Sequence, residues 1–265
     1  GYDRHDCSSR CTGGRRMTNM NGIDIIRSTL LNNRGLVFGM STRRGGVSPS
    51  PLDLNLSFSV GDDPSNVEKN RAIFFNALSV PPDRVAFPMQ VHSSTVVRIN
   101  GPGRVRSCDA LVTNVRDVYL CISAADCVPV FLYDPTHHAI AGVHAGWRGT
   151  EGRIVENAIA RMMAEFATNH QDLITFIGPS AGQCCYAVGS DVAGRFDPKF
   201  QQERNGSISI DLKAANKEQL LKAGVPETSI EVNPLCTISE SDLLHSYRRD
   251  GPNSGRMLAV LGMCP

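Results

Sequence analysis

The sequence lacks any long apolar run: no stretch of its 265 residues approaches the ~18 that a membrane-spanning helix needs. Its first residues, GYDRHDCSSRCTGGRRMTNMN, contain no hydrophobic signal core. It also lacks an excess of charge of one sign. Twenty-seven basic residues against 26 acidic ones give a formal net charge of +1, which removes the electrostatic case for nucleic acid or an acidic membrane surface as partner. No internal repeat or low-complexity block occurs, so a solenoid finds no support. The nine cysteines are odd in number, irregularly spaced and mostly set in apolar runs, which fits reduced thiols better than a disulfide framework. These absences predict a cytosolic protein whose partners are small molecules or other proteins.

What is present suffices for a sizeable core. Hydrophobic residues make up 41% of the chain and charged ones 20%, the balance of one globular domain or two small ones sharing an interface. Residues 1–21 are polar and aperiodic and read as a flexible leader, either a truncation remnant or the remains of an organelle transit segment. Cys7 and Cys11 lie in that leader without the second pair a zinc knuckle needs. Residues 22–265 read as a single catalytic domain. Short apolar runs predict strands near 36–41, 85–91, 117–123, 128–133, 139–144, 172–178, 229–233 and 256–262. Helical spacing predicts helices over 65–78, 150–167, 189–196 and 211–223, the last closing on a glycine. In 150–167 the apolar face comprises Ile154, Val155, Ala158, Ile159, Met162, Met163 and Phe166. The mixture is α+β.

Three residues in telling local strings carry the chemistry: His92 in QVHS, Cys127 in AADC and His144 in HAGWRG. The segment CVPVFLYDPTHHAIAGVH has the pattern of a hairpin. If its turn centres on Pro135 and Thr136, Cys127 and His144 face each other at the roughly 4.5–5.5 Å of directly opposed Cβ atoms. Two ligands can bridge that gap with Zn–S near ~2.3 Å and Zn–N near ~2.0 Å. A third donor at His92 completes an open, three-ligand metal site of the kind catalytic zinc occupies. The plain alternative is a buried thiol with two ordinary histidines. HAGWRGT lies between a strand and a helix, where Arg148 joins unpaired N–H groups as a candidate anion clamp. Arg43 in the glycine-bearing STRRGG loop is a second phosphate-binding candidate, followed by Arg71 and the Arg248, Arg249 pair; each alone is an equally natural surface or structural ion pair.

An ordered string of motifs resembles the YfiH or laccase-domain family, formerly described as multicopper polyphenol oxidases. The motifs are STRRGGVS (41–48), LNLSFSVGDDPSNVEKNR (54–71), QVHSSTV (90–96), DALVTN (109–114), SAADCVPVFLYDP (123–135), AGVHAGWRGT (141–150), IGPSAGQCCYAVG (177–189) and HSYRRDGPNSGRM (245–257). The resemblance implies a four-layer α/β/β/α mixed-sheet fold, cytoplasmic location and zinc held by His92, Cys127 and His144. It implies phosphorolysis of adenosine, inosine, guanosine and methylthioadenosine to base and ribose 1-phosphate, with adenosine deaminase activity. A monomer or weak homo-oligomer is expected. The chain departs from the family's pattern at Gln183, Ala187, Lys213 and Ser239, which bears on substrate preference and local packing rather than on the metal ligands.

The residues themselves limit the chemistry. A multicopper cluster needs about eight histidines, usually as HxH pairs; this chain has seven and no HxH. Zinc would bring the pKa of water from about 15.7 toward about 7, as attack at C6 of adenine requires. Zinc base deaminases add a glutamate for proton shuttling; no Glu adjoins these ligands, so Asp126 is the nearest carboxylate candidate for that role, and an equally natural turn residue or one that orients the ligands. Two other readings stay open: a Cys-His hydrolase or amidase with Cys127 as nucleophile, and an interaction module with structural zinc, for which Cys121, Cys184 and Cys185 are the available extra donors.

Overall fold

A computed structural model describes residues 17–32 and 35–265. Cys7, Cys11 and most of the expected leader lie outside the described residues. In chain order the elements are β1 (Met17–Met20), β2 (Ile23–Ile26), β3 (Leu36–Ser41), α1 (Pro64–Ala77), β4 (Val85–Pro88), β5 (Val96–Arg98), β6 (Gly103–Val105), β7 (Ala110–Thr113) and β8 (Tyr119–Ala124). There follow β9 (Val128–Asp134), β10 (Ala139–Ala145), α2 (Trp147–Glu151), α3 (Ile154–Phe166), β11 (Ile174–Ile177), β12 (Ala187–Val188) and α4 (Ser190–Ala193). The last are β13 (Gln201–Arg204), β14 (Ser207–Ile210), α5 (Leu212–Lys222), β15 (Ile230–Val232), α6 (Tyr247–Asp250) and β16 (Met257–Met263). Hairpin β1–β2 pairs Met17 with Ile26, so it straddles the boundary expected between residues 21 and 22.

Local chemistry sets the helix ends. Asp63 caps α1 by accepting from the Ser65 N–H, with Pro64 in the first turn, where its missing N–H costs nothing. Asp211 caps α5 through the Ala214 N–H, and Gly224, at φ 92°, supplies the left-handed residue just beyond its end. The helix expected over 150–167 is divided into α2 and α3, with Arg153 at φ 58° between them. The break lies where the chain packs closely on a neighbouring loop: a Cβ at Gly152 would lie 2.9 Å from Ser94 Cβ, and one at Gly149 would lie 3.0 Å from Ser93 O. The turn therefore fits against the 92–94 loop only with bare glycines. Six of the seven residues expected on the apolar face are buried; Met163 stands at the edge of that face and is exposed. The expected helix over 189–196 shortens to the single turn α4.

Strands assemble into a seven-stranded sheet, β1-β2-β3-β16-β8-β4-β6, a six-stranded sheet, β15-β11-β9-β10-β7-β5, and a small antiparallel sheet, β12-β14-β13. Both large sheets mix parallel and antiparallel pairs. β8 does not join β9 and β10 but lies in the other large sheet, so the chain crosses between sheets at 125–127, where Asp126 adopts φ 90°.

The β9–β10 hairpin also differs in register. His144 pairs with Pro129, not with Cys127, because the turn holds four residues, 135–138, rather than two. Asp134 enforces the longer turn: its Oδ1 accepts from the Thr136 and His137 N–H groups, and its Oδ2 meets His137 Nδ1 at 2.9 Å. Strand side chains alternate with period two. The displacement by two therefore preserves facing and brings Cys127 level with Gly146 instead.

Three apolar clusters hold these elements together. The first joins β7, β9 and β10 to α3 and α5. The second is shared by both large sheets: Phe38, Ile122 and Leu261 from one meet Phe131, Ile140 and Phe176 from the other. The third packs Phe74, Phe75 and Leu78, at the end of α1, against β2, β8 and β16. At the centre of the second, the Phe38 ring lies edge-on to Phe131 at 5.5 Å and to Phe176 at 4.8 Å. Replacing Phe38 by Ala should lower the unfolding free energy by about 3–5 kcal/mol, measured by urea denaturation, since it opens a cavity where the two sheets meet.

Candidate metal centre

Register alone brings the first two groups together. β10 pairs antiparallel with β7, Val143 opposite Ala110, so the next pair outward is His144 with Asp109. The His144 N–H donates to Asp109 O at 2.7 Å, extending the ladder by one step. The side chains meet as well, His144 Nδ1 lying 2.9 Å from Asp109 Oδ1. That contact occupies one ring nitrogen and leaves Nε2 for another partner.

The same carboxylate holds the loop that carries His92. Asp109 accepts from the backbone N–H groups of Val91, His92 and Ser93 at 3.2, 3.0 and 2.7 Å, and from the Ser93 hydroxyl at 2.8 Å. Three consecutive amides and an imidazole thus converge on one fully buried carboxylate. Gln90 ties the loop to the other sheet, exchanging two hydrogen bonds with the Ser123 backbone at 2.8 and 2.9 Å. The string QVHS thereby has a part for each polar member: Gln90 anchors to β8, Ser93 anchors to Asp109, and His92, at φ 60°, presents its ring.

The ring of His92 stands 5.1 Å from that of His144, centroid to centroid, at 72°. Cys127, delivered by the sheet crossover, completes the group. One donor atom from each of His92, Cys127 and His144 lies within 4.8 Å of the others, and no further Cys, His, Asp or Glu joins this group among the described residues. Gly146 eases the approach: a Cβ there would lie 3.1 Å from His92 Cδ2 and 3.2 Å from Cys127 Sγ, so that both ligands would have to shift by a few tenths of an ångström.

Electrostatics agree with the geometry. Burial pushes the Cys127 thiol up, but the His144 charge and hydrogen bonds from His144 and His92 outweigh it and bring the thiol to about 6. Burial pulls His144 down, while Cys127 and Asp109 together raise it to about 9. Asp109 is raised by burial and lowered by His144 and Ser93, with a net fall to about 2. The donor set is therefore an anionic sulfur with two imidazoles, one oriented by a carboxylate. That arrangement suits zinc, whose histidine ligands commonly give their other nitrogen to a carboxylate.

The other sequence candidates have different surroundings. Arg43 donates to Asp53, Pro51 O and Ser241 O, so its guanidinium is committed to tying loops. Arg71 donates to Leu56 O between the Phe58 and Phe87 rings, and Arg249 binds three carbonyls and Asp250. Arg148 is exposed on α2 with its guanidinium 4.2 Å from the Trp147 ring. Asp126 is nearly buried, its oxygens accepting from Thr237 Oγ1 and the Arg248 N–H, both at 2.6 Å. It clamps two loops to the crossover. Cys121 belongs to the third apolar cluster, and Cys184 and Cys185 gather with Cys236 instead of joining the triad.

Three neighbours were not singled out from the sequence. Asp109 is the foremost; its signal was a carboxylate directly before the wholly buried strand ALVT. Tyr186 and Arg256 both feel the charge of Cys127. Burial and then Cys127 raise the Tyr186 phenol, while burial lowers Arg256. Arg248 reaches the same region, its guanidinium 5.0 Å from the Tyr186 ring centroid and donating to Ala187 O at 2.8 Å.

Residues 37–264 match the family described as multi-copper polyphenol oxidoreductase laccase. A purine nucleoside phosphorylase of Bacteroides thetaiotaomicron is 35% identical over 239 residues, covering 83% of this chain and 88% of that protein. Purine nucleoside phosphorylase YlmD of Geobacillus stearothermophilus is 35% identical over 247 residues, covering 86% of this chain and 90% of the relative. The crystal structure of that YlmD superposes with a TM-score of 0.87 at 32% identity, covering 94% of this chain and 98% of the other. YfiH of Bacillus licheniformis, described as a hypothetical protein, superposes at 0.85 with 28% identity, covering 93% of this chain and 98% of its own. No helix among the described residues is long and apolar enough to cross a membrane.

Asp109→Asn tests the orienting carboxylate. The acid's folded value, about 2, lies below the ordinary 3.8, so the unfolded chain binds more protons in that interval and stability rises with pH across it. Metal-free wild type should hold about 2 kcal/mol from this source above pH ~4 and lose it as the pH falls through ~2. The variant should lack that increment at pH 7 in urea unfolding and show a flatter acid limb. Its metal affinity should fall roughly 10–100-fold by competition with a chromogenic chelator.

Proposed function

We propose that this chain, which belongs to the family described as multi-copper polyphenol oxidoreductase laccase, is a zinc-dependent purine nucleoside phosphorylase with adenosine deaminase activity. The convergence of His92, Cys127 and His144 without a fourth Cys, His or carboxylate donor among the described residues carries the reading, because catalytic zinc keeps a coordination position free of protein. The phosphorylase names of relatives about a third identical support the reaction class. The α/β/β/α layering belongs to the same proposal, supported by helices α3 and α5 in one outer cluster and α1 in the other.

Zinc bound by the three side chains supplies Lewis acidity, which lowers the pKa of water from about 15.7 toward about 7. The protein's own groups do the rest. Asp109 fixes the His144 tautomer and the His92 loop before any ligand arrives. In phosphorolysis a phosphate oxygen forms a bond to ribose C1′, the bond from C1′ to the purine breaks, and the purine takes up a proton as it leaves. Arg248, beside the Tyr186 ring, and Arg256, stacked over the Tyr247 ring in the field of Cys127, are the cations we assign to the phosphate. Arg148 is a further candidate from the neighbouring elbow, whereas Arg43 has its donors satisfied by Asp53 and two carbonyls. The Tyr186 phenol, raised by its burial and by the Cys127 charge, keeps its proton at neutral pH and is a donor for the purine.

Purified zinc-loaded protein given adenosine with and without phosphate should yield adenine plus ribose 1-phosphate in the first case and inosine in both. Absence of all three products would refute the reading. Cys127→Ala should abolish both reactions and lower zinc content. Arg248→Gln should raise KM for phosphate tenfold or more, leaving deamination, which needs no phosphate, near the wild-type rate.

A second reading is favoured by one observation: Cys127, His144 and Asp109 also have the order of a thiolate, its imidazole partner and the carboxylate that orients it. A Cys-His hydrolase would stay active without metal and be killed by iodoacetamide. Loss of activity on chelation, restored by zinc, would exclude it.

A further inference from the structure

A second sulfur-rich group lies on the loops next to the crossover and has no part in the reactions above. Cys184 and Cys185 precede β12, and Cys236 lies in the loop after β15; one sulfur from each lies within 4.8 Å of the others. The sulfurs of Cys184 and Cys185 are 3.3 Å apart. We propose that Cys184, Cys185 and Cys236 bind a soft d10 cation, Zn(II) or Cu(I), at a second site separate from the His92, Cys127 and His144 centre.

Four observations converge on it. A cation holding sulfurs at ~2.3 Å spaces them by roughly 3.8–4.0 Å, a separation these thiols reach within their present span by small rotations. Thiolate-only sets select soft ions over magnesium or calcium. Cys236 is 99% inaccessible yet receives the Gly182 N–H at 3.2 Å and the Ser239 N–H, donors that stabilise an anionic sulfur. Gly182 permits the close approach: a Cβ there would stand 3.2 Å from Cys184 Sγ and 3.3 Å from Cys236 Sγ. Cys184 is exposed, which provides an entry path from solvent.

The position gives such an ion a structural consequence. Thr237, next to Cys236, donates its hydroxyl to Asp126, next to Cys127, and the Thr237 N–H donates to Ser180 O at 3.0 Å. A cation joining Cys236 to 184–185 would close the loop that carries Tyr186 onto the same crossover that delivers Cys127. It would hold that loop and take no part in bond making.

The test uses full-length protein, stripped by chelator and kept reduced under anaerobic conditions, titrated separately with Zn(II) and with Cu(I), with bound metal counted by mass spectrometry. Wild type should take two equivalents of the favoured ion, and the two titrations identify which it is. Cys127→Ala should retain one, as should Cys184→Ser/Cys185→Ser, which leaves the buried Cys236 untouched and so spares the fold. Substitution with Co(II) should give sulfur-to-cobalt absorption in Cys127→Ala that is at least halved in the double variant. Ser239→Cys, which places a fourth thiol beside Cys236, should tighten the retained equivalent tenfold or more. A single equivalent in wild type that vanishes in Cys127→Ala would overturn the proposal, as would two equivalents persisting in the double variant. Because the first site is scored independently by Cys127→Ala, failure of this inference is distinguishable from failure of the phosphorylase reading.

Discussion

The Asp109 carboxylate is the constraint on which the candidate centre depends. It is fully buried, and burial of an unpaired charge would cost several kcal/mol. Five donors meet it instead: three successive backbone amides, the Ser93 hydroxyl and the His144 ring. Through them one side chain sets the path of the 91–93 loop, the tautomer of His144 and the distance between the two imidazoles. The electrostatic pairing of Cys127 with His144 follows from that placement, since Asp109 supplies part of the charge that raises His144, whose Nε2 proton a bound metal would displace. Without Asp109, the loop and strand β10 would have no common reference.

Much of this was legible in the sequence, for reasons that can be named. The long strands β3, β8, β9, β10 and β16 announce themselves because they are buried on both faces and read as continuous apolar runs. The convergence of His92, Cys127 and His144 was legible because each sits beside a strong structural signal, a strand end or a glycine-rich elbow. The hairpin register was not, because Asp134 accepts two amides and so lengthens a turn that Pro135 and Thr136 suggested would be tight. The assignment of β8 to the other sheet was equally hidden: nothing in SAADC distinguishes a crossover from a hairpin turn until Asp126 is seen at φ 90°. Strands β12–β14 are short, partly polar and mutually antiparallel, with no periodic signal to find.

The arginines illustrate a different limit. Loop composition points to Arg43, but an arginine's role depends on which of its donors are already satisfied, and Asp53 lies ten residues further along the chain. Arg248 and Arg256 come from the end of the chain and reach Tyr186 and Cys127 only through tertiary packing. Spacing predicts ligands that share one hairpin; it says little about a cation such as Arg248, whose backbone N–H is held by the Asp126 carboxylate 122 residues away. The crossover at 125–127 is where these distant parts are joined, since Asp126 holds Thr237 and Arg248 while its neighbour carries the thiol.

Consecutive amides that point into one concavity form a nest, a device that elsewhere captures phosphate or another anion from solution. In this fold the nest at 91–93 is filled by an anion from the chain itself. It is therefore closed to competition from the medium, and changes in phosphate or salt do not empty it. The loop takes its shape from Asp109 and not from a ligand, which lowers the ordering cost that a metal or a nucleoside would otherwise meet on binding there.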